Sequence, residues 1–402
     1  MSILNFKIPF SGVGAKYSAA EKNAVLEAME SSGTFTQGPY QESFQSKFAD
    51  YTGVKHAFAT SSAATALELA AILLQLKPGD EVICPAHTYC ASAYPFGKYG
   101  AKLVWADIDP DTWVVDPESI TSLVTPNTRA IIAVHLYGLP APMLSINKIA
   151  KNEDLVVIED CAQAIGATIN DQRVGSFGDI SIFSFQSHKN ISTLGEGGMI
   201  CFDNDIWAQY LPGLRHNGHA PFASDREYYW KPAMNNVDFD IDNVWPNNFC
   251  IGEVQCSLGQ TMLPRIDELN ADRRARYYKF KKAMSESPDV KIQAIPKGFV
   301  STHHLLPFRF KSNIASSDEL IECLAYQHGI QAIVQYYPLN RYPLFEKAGF
   351  GSANIPETNN FFDNMVSLPF HHWLSEDDFD YIISSLQQAI DSLAKNVQLQ
   401  ED

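Results

Sequence analysis

Four short stretches of this sequence place chemically capable side chains where an apolar run gives way to small or polar residues. Lys189 lies in Ser184-Phe185-Gln186-Ser187-His188-Lys189-Asn190, which leads into Gly195-Glu196-Gly197-Gly198. A lysine held between two apolar runs can lose its charge to burial and then act as a nucleophile, a Schiff-base partner and a proton carrier. The glycines would let the backbone pass close to a bound group. Without that enclosure the same lysine is a solvated surface charge. Asp160 ends the apolar run Leu155 to Ile158 in Glu159-Asp160-Cys161-Ala162-Gln163; a carboxylate there suits a protonated ring nitrogen, and it equally suits a helix N-cap. Thr60-Ser61-Ser62-Ala63-Ala64-Thr65 is a string of small residues opening a helical pattern. Its free N–H groups and helix dipole make an anion site fit for a phosphate, although an ordinary capped helix has the same look. Tyr89, in Pro85-Ala86-His87-Thr88-Tyr89, could lie flat on a heterocycle or belong to a core.

These residues need a scaffold that brings strand ends together. Seven short runs rich in β-branched and aromatic residues read as strands: Ala57 to Ala59, Glu81 to Cys84, Leu103 to Ala106, Ala130 to Val134, Leu155 to Ile158, Ile180 to Phe185 and Met199 to Phe202. Helix-length segments separate them, so the reading is an α/β fold with a mostly parallel seven-stranded sheet. In such sheets ligands bind outside the carboxyl ends of the strands, where the candidate residues fall. From about Arg265 the texture changes to a charged helix (Arg265 to Ser287), strand-like patches at Leu305 to Phe310 and Ile330 to Tyr337, and a closing amphipathic helix from Ser375 to about Leu393. The division expected is a large domain, 1–264, and a smaller α+β domain, 265–402. Trp230 to Asn248, dense in Asn, Asp and aromatics, is expected to form a long surface loop.

Bulk properties narrow the field. With 402 residues, 46% of them hydrophobic, the chain can bury a large core. A net charge of −16 argues against a nucleic-acid or anionic-membrane binder, so any anionic substrate needs a local positive site. Seven scattered cysteines without a Cys-x-x-Cys pair give no metal motif and suit a reducing compartment. With no membrane-length apolar run and no secretory signal pattern, the expected location is the cytoplasm.

Taken in order, the strings Ser62-Ala63-Ala64-Thr65-Ala66-Leu67, Pro78-Gly79-Asp80-Glu81-Val82, His135-Leu136-Tyr137-Gly138, Glu159-Asp160-Cys161-Ala162-Gln163, Ser184-Phe185 with Lys189, Gly195-Glu196-Gly197-Gly198 and Arg215-His216-Asn217-Gly218 closely resemble those of the DegT-type sugar aminotransferases. That family is a branch of the fold-type I pyridoxal 5′-phosphate (PLP) enzymes, and the resemblance runs from about Ile8 to Leu393. It implies Lys189 as the lysine that carries PLP as a Schiff base and Asp160 as the acid paired with the pyridine nitrogen. It further implies Gln163 near the cofactor 3′-oxygen, Tyr89 stacked on the ring, and Ala63, Ala64 and Ser184 at the cofactor phosphate. Asn248 is implied to reach the phosphate of a neighbouring subunit, hence a homodimer with shared active sites. No metal is implied.

The chain departs from the family pattern in three places. Ser62-Ala63-Ala64 stands where Ser-Gly-Thr is usual, Asn248-Phe249-Cys250 replaces Asn-x-Arg, and Tyr337-Pro338-Leu339-Asn340 lacks the histidine of Tyr-x-Pro-x-His. The last two changes fall where substrate should bind. The implied reaction moves an amino group, with glutamate the expected donor, to a keto- or aldehydo-sugar in amino-sugar or lipopolysaccharide biosynthesis. The candidate acceptors are a nucleotide-linked sugar, a sugar phosphate, and an eight-carbon sugar acid such as an oxidised 3-deoxy-octulosonate. Two alternatives stand beside this reading. A sugar 3-dehydratase on the same fold uses a histidine in place of the lysine, and His188 adjoins Lys189. A non-catalytic regulator could keep the fold alone.

Overall fold

The computed structural model describes residues 5–219 and 244–401. Its main sheet contains the seven expected strands: β1 (His56–Thr60), β2 (Glu81–Pro85), β3 (Lys102–Ala106), β4 (Thr128–Val134), β5 (Val156–Asp160), β6 (Ile180–Ser184) and β7 (Gly198–Phe202). Their order across the sheet is β1-β7-β6-β5-β4-β2-β3. Strand β7 runs antiparallel to both its neighbours, and every other pairing is parallel. Every residue of β2, β6 and β7 is buried, which is why these strands read as unbroken apolar runs rather than alternating ones. The carboxyl ends of β1, β2, β5 and β6 therefore share one edge, and the start of β7 joins them there.

Helices cover the sheet, and three of them matter for the site. Pro39–Thr52 (α1) opens with Gly38 and Pro39, and its first-turn N–H groups are satisfied from outside: the buried carboxylate of Glu253 accepts from Gly38, Tyr40 and Gln41. Ala63–Leu73 (α2) follows β1 directly, with Ser62 as N-cap. Ile266–Ala283 (α3) starts after a 3₁₀ turn at Leu263–Arg265 and stops four residues short of the expected Ser287.

A second, antiparallel sheet is formed by β8 (Val290–Ile292), β9 (Leu306–Phe310) and β10 (Met365–Leu368). Phe280 of α3, Leu324 of the helix Ser317–His328 and Ile382 of the long closing helix pack against Phe308 and Val366. The patch at Leu305 to Phe310 is thus a strand, but Ile330 to Tyr337 is not. That segment makes only isolated bridges, Ile8 to Ile330 and Ile333 to Ser367. It then leaves the ladder and delivers Gln335 and Tyr336 to the cavity described below; Pro338, without an N–H, ends any further pairing. Most of the segment expected as a loop, 230–243, lies outside the described residues; Asn248 is exposed and bridges to His216.

Candidate active site

The strand ends open into one cavity of about 850 Å³. Seven of the eight sequence-derived candidates line it: Ala63, Ala64, Tyr89, Asp160, Gln163, Ser184 and Lys189. Asn248 does not face the cavity of its own chain, although its neighbour Phe249 does hold the loop beside it, accepting from Ser61 N–H through its carbonyl at 2.8 Å.

The first turn of α2 forms one wall. Ser62 Oγ accepts from Thr65 N–H at 3.2 Å, and Thr65 Oγ1 accepts from Ser62 N–H at 3.1 Å, a reciprocal capping box. That leaves the N–H groups of Ala63 and Ala64 with no acceptor among the described residues, at the positive end of an eleven-residue helix. Thr65 is thus occupied in the cap, and loss of the usual hydroxyl at Ala64 leaves the backbone as the anion-binding element. Gly198 at the start of β7 lets this turn come close: a Cβ there would lie 2.4 Å from Ser62 C and 2.5 Å from Ala63 N. Ser184, buried at the end of β6, completes this wall.

Asp160 is 4% exposed at the end of β5. It caps no helix: one carboxylate oxygen accepts from Ala162 N–H at 3.1 Å within a tight turn, the other from Ser92 Oγ at 2.6 Å. Thr88 Oγ1 lies 3.1 Å from Ser92 Oγ, so a buried hydroxyl pair holds the carboxylate. Gln163 stands on the same turn rather than on a helix. Its Oε1 accepts from Tyr137 N–H at 2.9 Å and its Nε2 donates to the Tyr336 hydroxyl at 3.2 Å. Tyr89 is more than half exposed, at the mouth, with its ring edge-on to Tyr336 at 6.3 Å. Burial raises the Tyr336 phenol well above its ordinary value, so it remains a neutral donor.

Lys189 presents its side chain to the cavity while protein surrounds it, and this enclosure pushes its amine down to about 8, against the pull of Asp160 and Glu196. His188, its neighbour, is exposed at the rim. The lysine loop is gripped by the N-terminal segment: Gly14 N–H donates to Ser187 O at 2.8 Å, and a Cβ on Gly14 would lie 2.3 Å from the carbonyl oxygens of both His188 and Lys189.

Sequence reasoning missed Ser92, Tyr336 and His304, all of which line the cavity. Among the described residues, His135, Glu159 and Cys161 are grouped tightly enough for a metal. The Glu159 carboxylate, however, accepts from Gly175, Phe177 and Gly178 N–H and sits 3.1 Å from His135 Nε2, which makes it a buried structural brace.

An enclosed lysine of lowered basicity, a buried carboxylate and a helix terminus with free N–H groups share one cavity, a set that fits PLP. The fold and this cavity define a fold-type I PLP-dependent aminotransferase. The sequence model of the DegT/DnrJ/EryC1/StrS aminotransferase family matches residues 16–387, and the chain belongs to that family. It is 34% identical over 376 residues to GDP-perosamine synthase of Caulobacter vibrioides, covering 92% of this chain and 95% of the relative. It is 31% identical over 365 residues to the pleiotropic regulatory protein of Geobacillus stearothermophilus, covering 90% and 93%. Among solved structures, the putative sugar aminotransferase Spr1654 of Streptococcus pneumoniae in its PMP form superposes with a TM-score of 0.85 at 28% identity, covering 95% of this chain and 99% of that one. The fold is also that of Helicobacter pylori PseC, with a TM-score of 0.86 at 24% identity over 95% and 99%. The chain is a PLP-dependent sugar aminotransferase.

Proposed function

We propose that this enzyme transfers the amino group of glutamate to the carbonyl of a nucleotide-linked keto-sugar, using Lys189 as covalent anchor and proton carrier. The observation that carries the reading is the enclosed Lys189 amine, held at about 8 beside Asp160. At that value the free amine is close to half deprotonated near pH 8, which suits a base that takes up and returns one proton per half-reaction. Bound here, PLP supplies an electron sink that acidifies the carbon bearing the amino group. Asp160, oriented by Ser92 and Ala162 N–H, would hold the ring nitrogen's proton. Gln163 and Tyr336 would set the polar edge of the ring, Tyr89 would cover its face, and Ala63, Ala64 and Ser184 would take the phosphate.

The name of the Caulobacter relative supports a nucleotide-linked acceptor. Cys250, where the family often has an arginine, weighs the other way, since it removes a cation that the diphosphate of a nucleotide-linked sugar could use, and the name of the relative outweighs it. Placement of His188 at the rim and Lys189 inside supports transamination over the dehydratase reading. Asn248, exposed and outside the lining of its own cavity, supports a homodimer in which it reaches the partner's phosphate. The second sheet, β8 to β10, and its helices support a small domain beginning at about residue 265, and among the described residues no helix is long and apolar enough to cross a membrane.

The test begins with purified enzyme converted to its amino form by L-glutamate, with L-glutamine as a parallel arm. Nucleotide-linked keto-sugars, keto-sugar phosphates and an oxidised octulosonic acid are then added in turn while the cofactor absorbance is followed. Return of the original spectrum with the nucleotide-linked sugar alone is the expected result. Return with another class would replace the acceptor, and a protein that binds no PLP would favour the regulatory reading.

A further inference from the structure

His304 lines the cavity at the foot of β9, is 3% exposed, and has no part in the assignments above. Its two ring nitrogens can be told apart. Asn190, next to Lys189 in the chain, donates through Nδ2 to Asn270 Oδ1 at 2.8 Å and to Thr302 O at 3.4 Å. Those bonds fix the orientation of the Asn190 amide, so its Oδ1, 3.1 Å from His304 Nδ1, must accept, and Nδ1 must carry the hydrogen. Asn270 is itself pinned, donating to Ile165 O at 2.9 Å. A neutral ring with Nδ1–H has a lone pair on Nε2. Among the described residues Nε2 has no hydrogen-bond partner, yet it is not among the side-chain atoms sealed from contact; in a residue this deeply buried, the open surface is the cavity.

The ring is also kept neutral. Burial lowers its basicity well below the ordinary histidine value, and the positive charges of Lys189 across the cavity and Arg273 behind it add to that, as does His188 at the rim when protonated. The Arg273 guanidinium donates to the carbonyl of His304 at 2.9 Å and to that of Gly14 at 2.9 Å, and among the described residues no carboxylate pairs with it. A permanently uncharged acceptor needs a donor. Asp160, Glu196, His188 and His304 line the same cavity as Lys189; of these His304 is the uncharged acceptor held rigidly from the residue adjoining Lys189.

We propose that His304 is a positioning residue for the Lys189 amine: locked in its Nδ1–H tautomer by Asn190, it offers Nε2 at the cavity wall as the acceptor to which that amine turns when it is released from cofactor. This rests on the reading of Lys189 as the cofactor lysine. The bond favours the ammonium form and parks the amine at a fixed place in the cavity wall.

The test uses cofactor-free full-length protein and two substitutions. His304→Asn keeps a donor for Asn190 Oδ1 but does not reach the cavity; His304→Gln restores an acceptor near the Nε2 position. Competitive acetylation against pH, with the labelled peptide identified by mass spectrometry, reads the basicity of Lys189. The expected result is a less basic Lys189 in His304→Asn, labelled about fivefold faster at pH 7 than in the parent for a drop of about one unit, with His304→Gln close to the parent. Equal rates in parent and both variants, or equally faster labelling in both variants, would overturn the proposal. Should the variants fail to fold, ¹⁵N spectra of ring-labelled histidine in the unsubstituted protein decide: an Nδ1–H tautomer whose Nε2 signal shifts when Lys189 is acetylated upholds it, and an Nε2–H tautomer, or an Nε2 signal indifferent to that acetylation, ends it. Borohydride trapping of PLP, mapped in the same way, separates the two failures, because PLP fixed on a lysine other than Lys189 removes the functional reading and not merely this one.

Discussion

At the scale of single residues, the site turns on one group whose burial changes its protonation. Free Lys189, pushed down to about 8 against an ordinary 10.5, binds fewer protons folded than unfolded between those values. Its burial penalty is therefore fully present below about pH 8 and fades as pH rises toward 10.5. Lys189→Met should accordingly raise the melting temperature of cofactor-free protein at pH 7 by a few degrees, with the gain shrinking to nothing at pH 10.5, while turnover is abolished; calorimetry across pH checks the first and an assay with glutamate the second. Asp160→Asn should lower kcat about a hundredfold or more, as loss of a preorganised charge does, with little change in melting temperature at saturating PLP. Ser92→Ala, which removes one charge-assisted hydrogen bond from that carboxylate, should cost about tenfold in kcat. Asp160 and Lys189 were legible because each comes within a few residues of the end of an apolar run, and Gln163 only through the resemblance to the family. Ser92 was not, since its meaning lies in a contact with a residue 68 positions away. His304 stands beside His303, whose ring is spent in a stack on Tyr277 at 3.8 Å, and nothing in the His-His string says which of the two faces a cavity.

At the scale of elements, the close approach of β7 to the first turn of α2 is the contact most open to test. Gly198→Ala puts a methyl within 2.4 Å of the Ser62 backbone, and neither partner is the flexible end of a side chain. Such overpacking costs about 1–3 kcal/mol, and because it displaces the Ala63 and Ala64 N–H groups, PLP should bind at least tenfold more weakly, which equilibrium dialysis would read. If PLP affinity stays at the parent's level, those N–H groups are not the phosphate site. All seven strands were legible because a buried parallel sheet leaves short, turn-bounded apolar runs with no other plausible use. Ile330 to Tyr337 shows the limit of that signal. Its β-branched and aromatic residues look like a strand, but only Ile330 and Ile333 find bridging partners, and what makes the segment extended is the demand of the cavity for Gln335 and Tyr336.

At the scale of the whole molecule, the role proposed for Asn248 would link cofactor binding to assembly. If it holds the partner's phosphate, PLP should shift a dilution series toward the dimer, since a ligand bound only by the assembled state stabilises it. Light scattering with and without PLP, for the parent and Asn248→Ala, checks this; a monomer that binds PLP and turns over would defeat the shared site. The N-terminal segment carries a different consequence, one of timing. Ile8 pairs with Gly329 and Gln331, Val13 O accepts from Trp373 Nε1 at 3.3 Å, and Gly14 accepts from Arg273 and closes on Lys189. During synthesis these residues leave the ribosome ahead of every group they will touch, and wait for some 360 residues to follow (Trp373 lies 360 positions after Val13). Gly14 can meet Ser187 early, but the braces that fix the wall over Lys189, from Arg273 and Trp373, are missing from a shorter nascent chain, so firm retention of cofactor should come only late in synthesis. A chain halted before His371 should emerge with Lys189 accessible, ordinary in basicity, and unable to retain PLP.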